Sequence, residues 1–126
     1  MRNGKRAGFT LIELLVALAI VGLITAIAAP RYFGNLDRAK ENVLKEDLYI
    51  LRDAIGKFYA DRNRYPDTLQ ELVQEQYLRK LPADPFTRNA TSWIIVPADD
   101  PSAGLVADVR SGAPNQAHDG TWMKDW

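Results

Sequence analysis

The sequence predicts an α+β protein. One long N-terminal α-helix spans a membrane in its first half, and its C-terminal half packs on a small head with a short helix and a short antiparallel β-sheet. Three observations predict it. An apolar run of 21 residues, Phe9–Ala29, follows a basic start. Apolar residues then recur at helical spacing as far as Tyr59. Short β-branched and aromatic runs, separated by proline- and glycine-rich turns, fill the remainder.

The apolar run has only Thr10, Glu13 and Thr25 as polar side chains, and as a helix it is roughly 30 Å long, enough to cross a bilayer. Lys5 and Arg6 place its N-terminal end on the cytoplasmic side. Pro30 lacks a backbone donor and Gly34 is a poor helix former, so together they mark a kink or loosened stretch. Beyond them Leu36, Ala39, Val43, Leu44, Leu48, Leu51, Ala54, Ile55, Phe58 and Tyr59 recur in steps of mostly three and four. Charged residues between them, Arg52 and Asp53 included, form the solvated face. Asp67, with Gln70 three residues on, is the expected cap of a short helix over 68–78. Ser92–Val96 and Leu105–Val109 read as two strands, antiparallel across a turn at 97–104. The tail, 111–126, reads as loop.

Sixteen basic and sixteen acidic residues balance over 126, which gives no electrostatic reason to expect nucleic acid as a partner. Arg2, Lys5 and Arg6 all precede the apolar run, so the rest of the chain carries a net charge of −3. With no cysteine, disulfides and thiolate metal sites are excluded. The single histidine, His118, has no nucleophile near it in the sequence and reads as solvated. There is no phosphate-binding glycine loop and no zinc-protease motif. The sequence therefore reads as a non-enzyme.

Glu13 carries the functional argument. A carboxylate inside a spanning helix costs on the order of 3 kcal/mol, and it wants a partner. Three readings compete for this segment. One is a secretory signal peptide cut after Ala26-Ile27-Ala28, another is an uncut anchor, and the third is a leader removed ahead of the apolar run. Only the last gives Glu13 a use. Cleavage between Gly8 and Phe9 frees an α-amino group and makes Glu13 the fifth residue of the mature chain. The cationic terminus of a neighbouring copy then neutralises it when subunits stack, fixing register as well as contact.

Gly8-Phe9-Thr10-Leu11-Ile12-Glu13, continuing through Leu14-Leu15-Val16, resembles the prepilin peptidase motif of type IV pilins and type II secretion pseudopilins. Tyr65-Pro66-Asp67-Thr68-Leu69 and Leu81-Pro82-Ala83-Asp84-Pro85-Phe86 are similar to segments of the major pseudopilin of type II secretion, and the end, Asp119-Gly120 to Trp126, is loosely so. The resemblance implies a pilin-like fold. It implies a leader at 1–8, a transmembrane and filament-core helix at 9–30 and a periplasmic head at 31–126. It further implies cleavage at Gly8-Phe9, N-methylation of Phe9, assembly through Glu13 and helix loosening at Gly22 and Pro30. The implied partners are further copies in a homo-oligomeric helical filament, minor pseudopilins, the prepilin peptidase and an inner-membrane assembly platform. The function implied is a structural subunit of a type II secretion pseudopilus, with a type IV pilin for adhesion, motility or DNA uptake as the alternative.

The same resemblance implies calcium in the C-terminal loop, held by carboxylates, a serine and main-chain carbonyls, with Asp108, Ser111, Asp119 and Asp125 as candidates. Calcium takes six to eight oxygens. The acidic run of the family is replaced here by Ser111–His118, and Trp122 stands where another acid is usual. These departures favour a loop with no required cofactor, pinned by packing of Trp122 and Trp126.

Overall fold

The computed structural model describes residues 8–126; the leader residues 1–7, with Arg2, Lys5 and Arg6, lie outside them. The chain divides into two compact units, Met1–Leu36 and Asp37–Trp126. The first helix, α1, runs Leu11–Arg62 and belongs to both.

In the first unit α1 starts from a reciprocal cap. The Glu13 N–H donates to the Thr10 hydroxyl at 3.2 Å, and the Thr10 N–H donates to Glu13 Oε2 at 3.4 Å. Large apolar side chains from Phe9 to Ile27 are exposed on every face. A helix that is apolar all round is built for lipid or for burial in an assembly. Its best window has a mean hydropathy of 2.7, and among the described residues it is the one helix long and apolar enough to cross a membrane. The Thr25 hydroxyl donates to the Val21 carbonyl at 2.7 Å, so this polar group is satisfied internally, as lipid requires.

The helix continues through Gly22 and Pro30, where loosening is expected. Both residues, and Gly34, lie inside the helix. Proline's fixed φ is itself helical, so a single Pro costs the ladder one donor and a local clash without having to end it. A Cβ built on Gly22 or Gly34 meets nothing within 4 Å, so neither glycine is required by a close neighbour.

In the second unit α1 buries Leu44, Leu48, Leu51, Ala54, Ile55 and Phe58, spaced by three and four. Val43 and Tyr59, expected on the same stripe, stay half-exposed on its flank. The short helix α2, Leu69–Gln74, is capped by Thr68 rather than Asp67. Thr68 Oγ1 accepts the Glu71 N–H at 3.2 Å, and Glu71 Oε2 reaches back to the Asp67 N–H at 2.8 Å. The cap falls one residue later because Glu71, not Gln70, completes the exchange. The Arg64 guanidinium, bonded to Glu71 Oε1 at 2.5 Å, holds that carboxyl below its ordinary range. Two strands, β1 (Ile94–Val96) and β2 (Asp108–Arg110), pair antiparallel with Ile95 opposite Val109. The second strand starts later than the expected Leu105. The Val106 N–H is spent on the Pro66 carbonyl at 2.9 Å instead of on the sheet. Trp93, Val106, Val109, Ala113, Ala117 and Met123 close the core over α1, with Trp93 Nε1 donating to the Pro82 carbonyl at 2.8 Å.

Gly104 sits where the segment after the short 3-10 turn Pro101–Ala103 crosses Tyr65. Its φ is +113°, and a Cβ there would collide with the Tyr65 carbonyl. That carbonyl cannot retreat freely, because the Tyr65 N–H donates to Ala103 O at 2.6 Å. Gly104→Ala is expected to cost about 1–3 kcal/mol and to lower the thermal midpoint by several degrees. Unfolding followed by tryptophan fluorescence checks this, and an unchanged midpoint would refute it.

Candidate functional site

Two places carry the residues singled out by sequence. The first is the start of α1. Gly8, Phe9 and Thr10 precede the helix in non-helical backbone, and Phe9 is 88% exposed. Glu13 is exposed on the first turn. It is more occupied than the sequence reading allowed, because Oε2 belongs to the cap on Thr10. Oε1 has no hydrogen-bond partner among the described residues. The carboxylate is therefore oriented by its own chain through Oε2. The position also suits a negative charge, because the first turn of a helix presents unpaired N–H groups and the positive end of the dipole.

The second place is the segment from β2 to Trp126. Three of its four candidate calcium ligands, Asp108, Ser111 and Asp119, are hydrogen-bonded by protein groups. Among the described residues no group of three or more acidic, histidine or cysteine side chains is placed to hold a metal. Each candidate has a different surrounding. Asp108 Oδ1 accepts from Arg52 Nε at 2.8 Å and from the Val109 N–H at 2.8 Å. Ser111 is fully buried and donates to Asp84 Oδ2 at 2.5 Å, while accepting from the Ala113 N–H at 3.1 Å. Asp119 Oδ1 accepts from the Thr121 hydroxyl and N–H, at 2.6 and 3.0 Å, which pulls its carboxyl below the ordinary range. Asp125 is exposed in the short 3-10 turn Met123–Asp125. Asp108 and Asp119 thus already accept protein donors, and the Ser111 hydroxyl is spent on Asp84.

Several residues that hold the segment were missed by sequence reading. Arg52, assigned to the solvated face, donates from Nη2 to the Val109 carbonyl at 3.0 Å and to the main-chain oxygen of Trp126 at 2.6 Å. Glu41 is only 4% exposed and takes the His118 N–H at 2.8 Å on Oε1 and His118 Nδ1 at 2.5 Å on Oε2. So His118 is not merely solvated. Asp84, fully buried, also accepts from the N–H groups of Phe86 and Thr87 at 2.9 and 3.3 Å. Its charge is felt by Asp47, whose carboxyl is raised by burial first and by Asp84 and Glu46 next.

The expected pinning by two tryptophans needs correction. Trp122 is 46% exposed, and its ring meets the Lys124 ammonium at the surface. Met123 takes the core position instead, at 1% exposure. The backbone enters the turn Met123–Asp125 from an extended Trp122 bridged to Gln116, which aims the next side chain inward. Trp126 does pack against the core, under the Lys45 ammonium at 4.7 Å and with Nε1 donating to Thr121 Oγ1 at 2.9 Å.

Comparison with known proteins bears on the start of the chain and on the chain as a whole. Residues 3–29 match the family model of the prokaryotic N-terminal methylation motif. The chain is 28% identical to the type II secretion system core protein G of Klebsiella michiganensis, over 97% of this chain and 96% of that protein. It is 30% identical to the protein of the same name from Pseudomonas aeruginosa, over 97% and 99%. It is 37% identical to the type IV major pilin protein PilA of Myxococcus xanthus, but over 56% of this chain and 32% of that protein. No solved structure matches the chain significantly. Likeness to a core protein G along nearly the whole of both chains, together with the methylation-motif match at this chain's start, places this chain in the type II secretion core protein G family of pilin-like proteins.

Proposed function

We propose that this chain is the structural subunit of a type II secretion pseudopilus, inserted in the inner membrane with its N-terminus cytoplasmic and its head periplasmic. The observation that carries the reading is the start of α1. An accessible Gly8-Phe9 bond, a carboxylate held on the first turn and a helix exposed and apolar on every face occur together. The three parts act in order. The helix holds the precursor in lipid. Removal of residues 1–8 creates a cationic amino terminus at Phe9, which becomes N-methylated. Glu13 of an adjoining copy then receives that charge as the apolar helices leave lipid and pack on each other. Minor pseudopilins, the prepilin peptidase and an inner-membrane assembly platform are the proposed partners. The role is mechanical and needs no catalytic group on this chain. The type IV pilin alternative is supported by the similarity to a Myxococcus pilin, which is partial where the core protein G similarity is full-length.

Processing provides the test. The intact mass of the membrane-extracted chain is expected to correspond to a start at methylated Phe9. Gly8→Leu is expected to accumulate as full-length precursor, at least tenfold over wild type by immunoblot, because a side chain at the scissile position obstructs the peptidase. A mature chain starting at Ala29 would mean removal as a signal peptide and would overturn the reading.

A further inference from the structure

We infer that the Arg52 guanidinium is the built-in cation of the C-terminal loop and takes the place of the calcium ion that the family resemblance implies. The inference starts from the oxygens that Arg52 collects. Nε meets the carboxylate of Asp108 at 2.8 Å, and Nη2 meets two main-chain oxygens, of Val109 at 3.0 Å and Trp126 at 2.6 Å. One carboxylate plus main-chain oxygens is the kind of ligand set a loop calcium would use. Here one planar, permanently charged fork gathers it, with donors fixed in direction. The acceptors lie at the two ends of the loop, so Arg52 closes it from a rigid base on α1.

The loop's remaining anchors are also protein groups. Ser111 is fixed on Asp84, and His118 is fixed on Glu41. Glu41, Lys45 and Arg52 all project from α1, at spacings of four and seven that place them along one side of the helix. The Arg52–Asp108 pair taken alone would be weak, because both side chains are about two-fifths exposed at 39% and 41%. The strength lies in the three-way geometry, which satisfies two main-chain acceptors as well as the carboxylate. A divalent ion approaching Asp108 would have to displace a like-charged group that already serves these oxygens.

The test is thermal unfolding of the full-length chain in detergent, read by tryptophan fluorescence, in millimolar calcium and in chelator. The wild-type midpoint is expected to be the same in both. Arg52→Met, which keeps the apolar stem and removes every donor, is expected to lower it by about 5 °C or more. Arg52→Lys keeps the charge but not the fork and is expected to fall between them. Amide hydrogen exchange supplies the local readout, with protection of residues 108–126 lost in Arg52→Met while that of α2 is retained. If Arg52→Met does not fold, Arg52→Lys and the wild-type calcium comparison decide. A calcium-dependent rise of several degrees in the wild type, or an Arg52→Met midpoint equal to wild type, overturns the inference.

Discussion

Glu13→Leu is expected to enter the membrane, to be cut between Gly8 and Phe9, and to yield no filaments when it is the only subunit present. Insertion becomes easier, because removing a carboxylate from a spanning segment relieves a cost on the order of 3 kcal/mol. Assembly fails if the paired charge is what selects the register of one apolar helix on the next. The capping geometry complicates this variant, since Leu also removes the Glu13 contact with the Thr10 N–H. Glu13→Gln separates the two roles. A glutamine side-chain oxygen can still accept from Thr10 and complete the cap, but it cannot neutralise an amino terminus. Electron microscopy of sheared filaments and export of a reporter substrate are the measurements. Absence of filaments from both variants, with normal cleavage, supports charge pairing. Filaments from Glu13→Gln but not from Glu13→Leu would assign the residue to helix capping alone. Normal filaments from both would remove Glu13 from the assembly mechanism.

The parts legible in the sequence are those governed by short-range periodicity. Steps of three and four from Leu44 to Phe58 located the buried stripe, and the two β-branched runs located an antiparallel pair. The Thr10–Glu13 cap is legible too, since Thr-x-x-Glu is a helix start signal. The remainder depends on contacts distant in sequence. Arg52 meets Asp108 across 56 positions, and Glu41 meets His118 across 77. A charge on the outer side of a helical period looks solvated until the chain returns to it. Trp122 and Met123 are adjacent, and only the turn that follows decides which one enters the core. Asp84 lies between Pro82 and Pro85, and nothing in its local sequence marks it as the buried member of a hydrogen-bond chain.

That chain supports the largest stability effect expected in the head. Asp84 has no exposed surface and no cationic partner among its hydrogen bonds. Its charge is held by one hydroxyl and two N–H groups, from Ser111, Phe86 and Thr87. Such a carboxylate joins two segments 27 residues apart, and the Ala113 N–H bonded to Ser111 extends the link toward the core. Hydrogen bonds to a charged acceptor are stronger than neutral ones, and neighbouring bonds in a chain reinforce each other. Asp84→Ala strands three donors, of which the Ser111 hydroxyl is fully buried, and leaves a void beside them. At about 1–3 kcal/mol for each unsatisfied buried group, partly offset by relief of Asp47, the loss is expected to reach roughly 3–5 kcal/mol. Ser111→Ala is expected to cost less, because Asp84 keeps both N–H donors, although both bonds of the Ser111 hydroxyl, to Asp84 and from the Ala113 N–H, are lost. Denaturant unfolding of each variant beside wild type gives the ordering. Equal losses for the two variants would mean that Asp84 acts only through Ser111. A loss from Asp84→Ala no larger than that of an exposed substitution would show that the carboxylate does not join these segments.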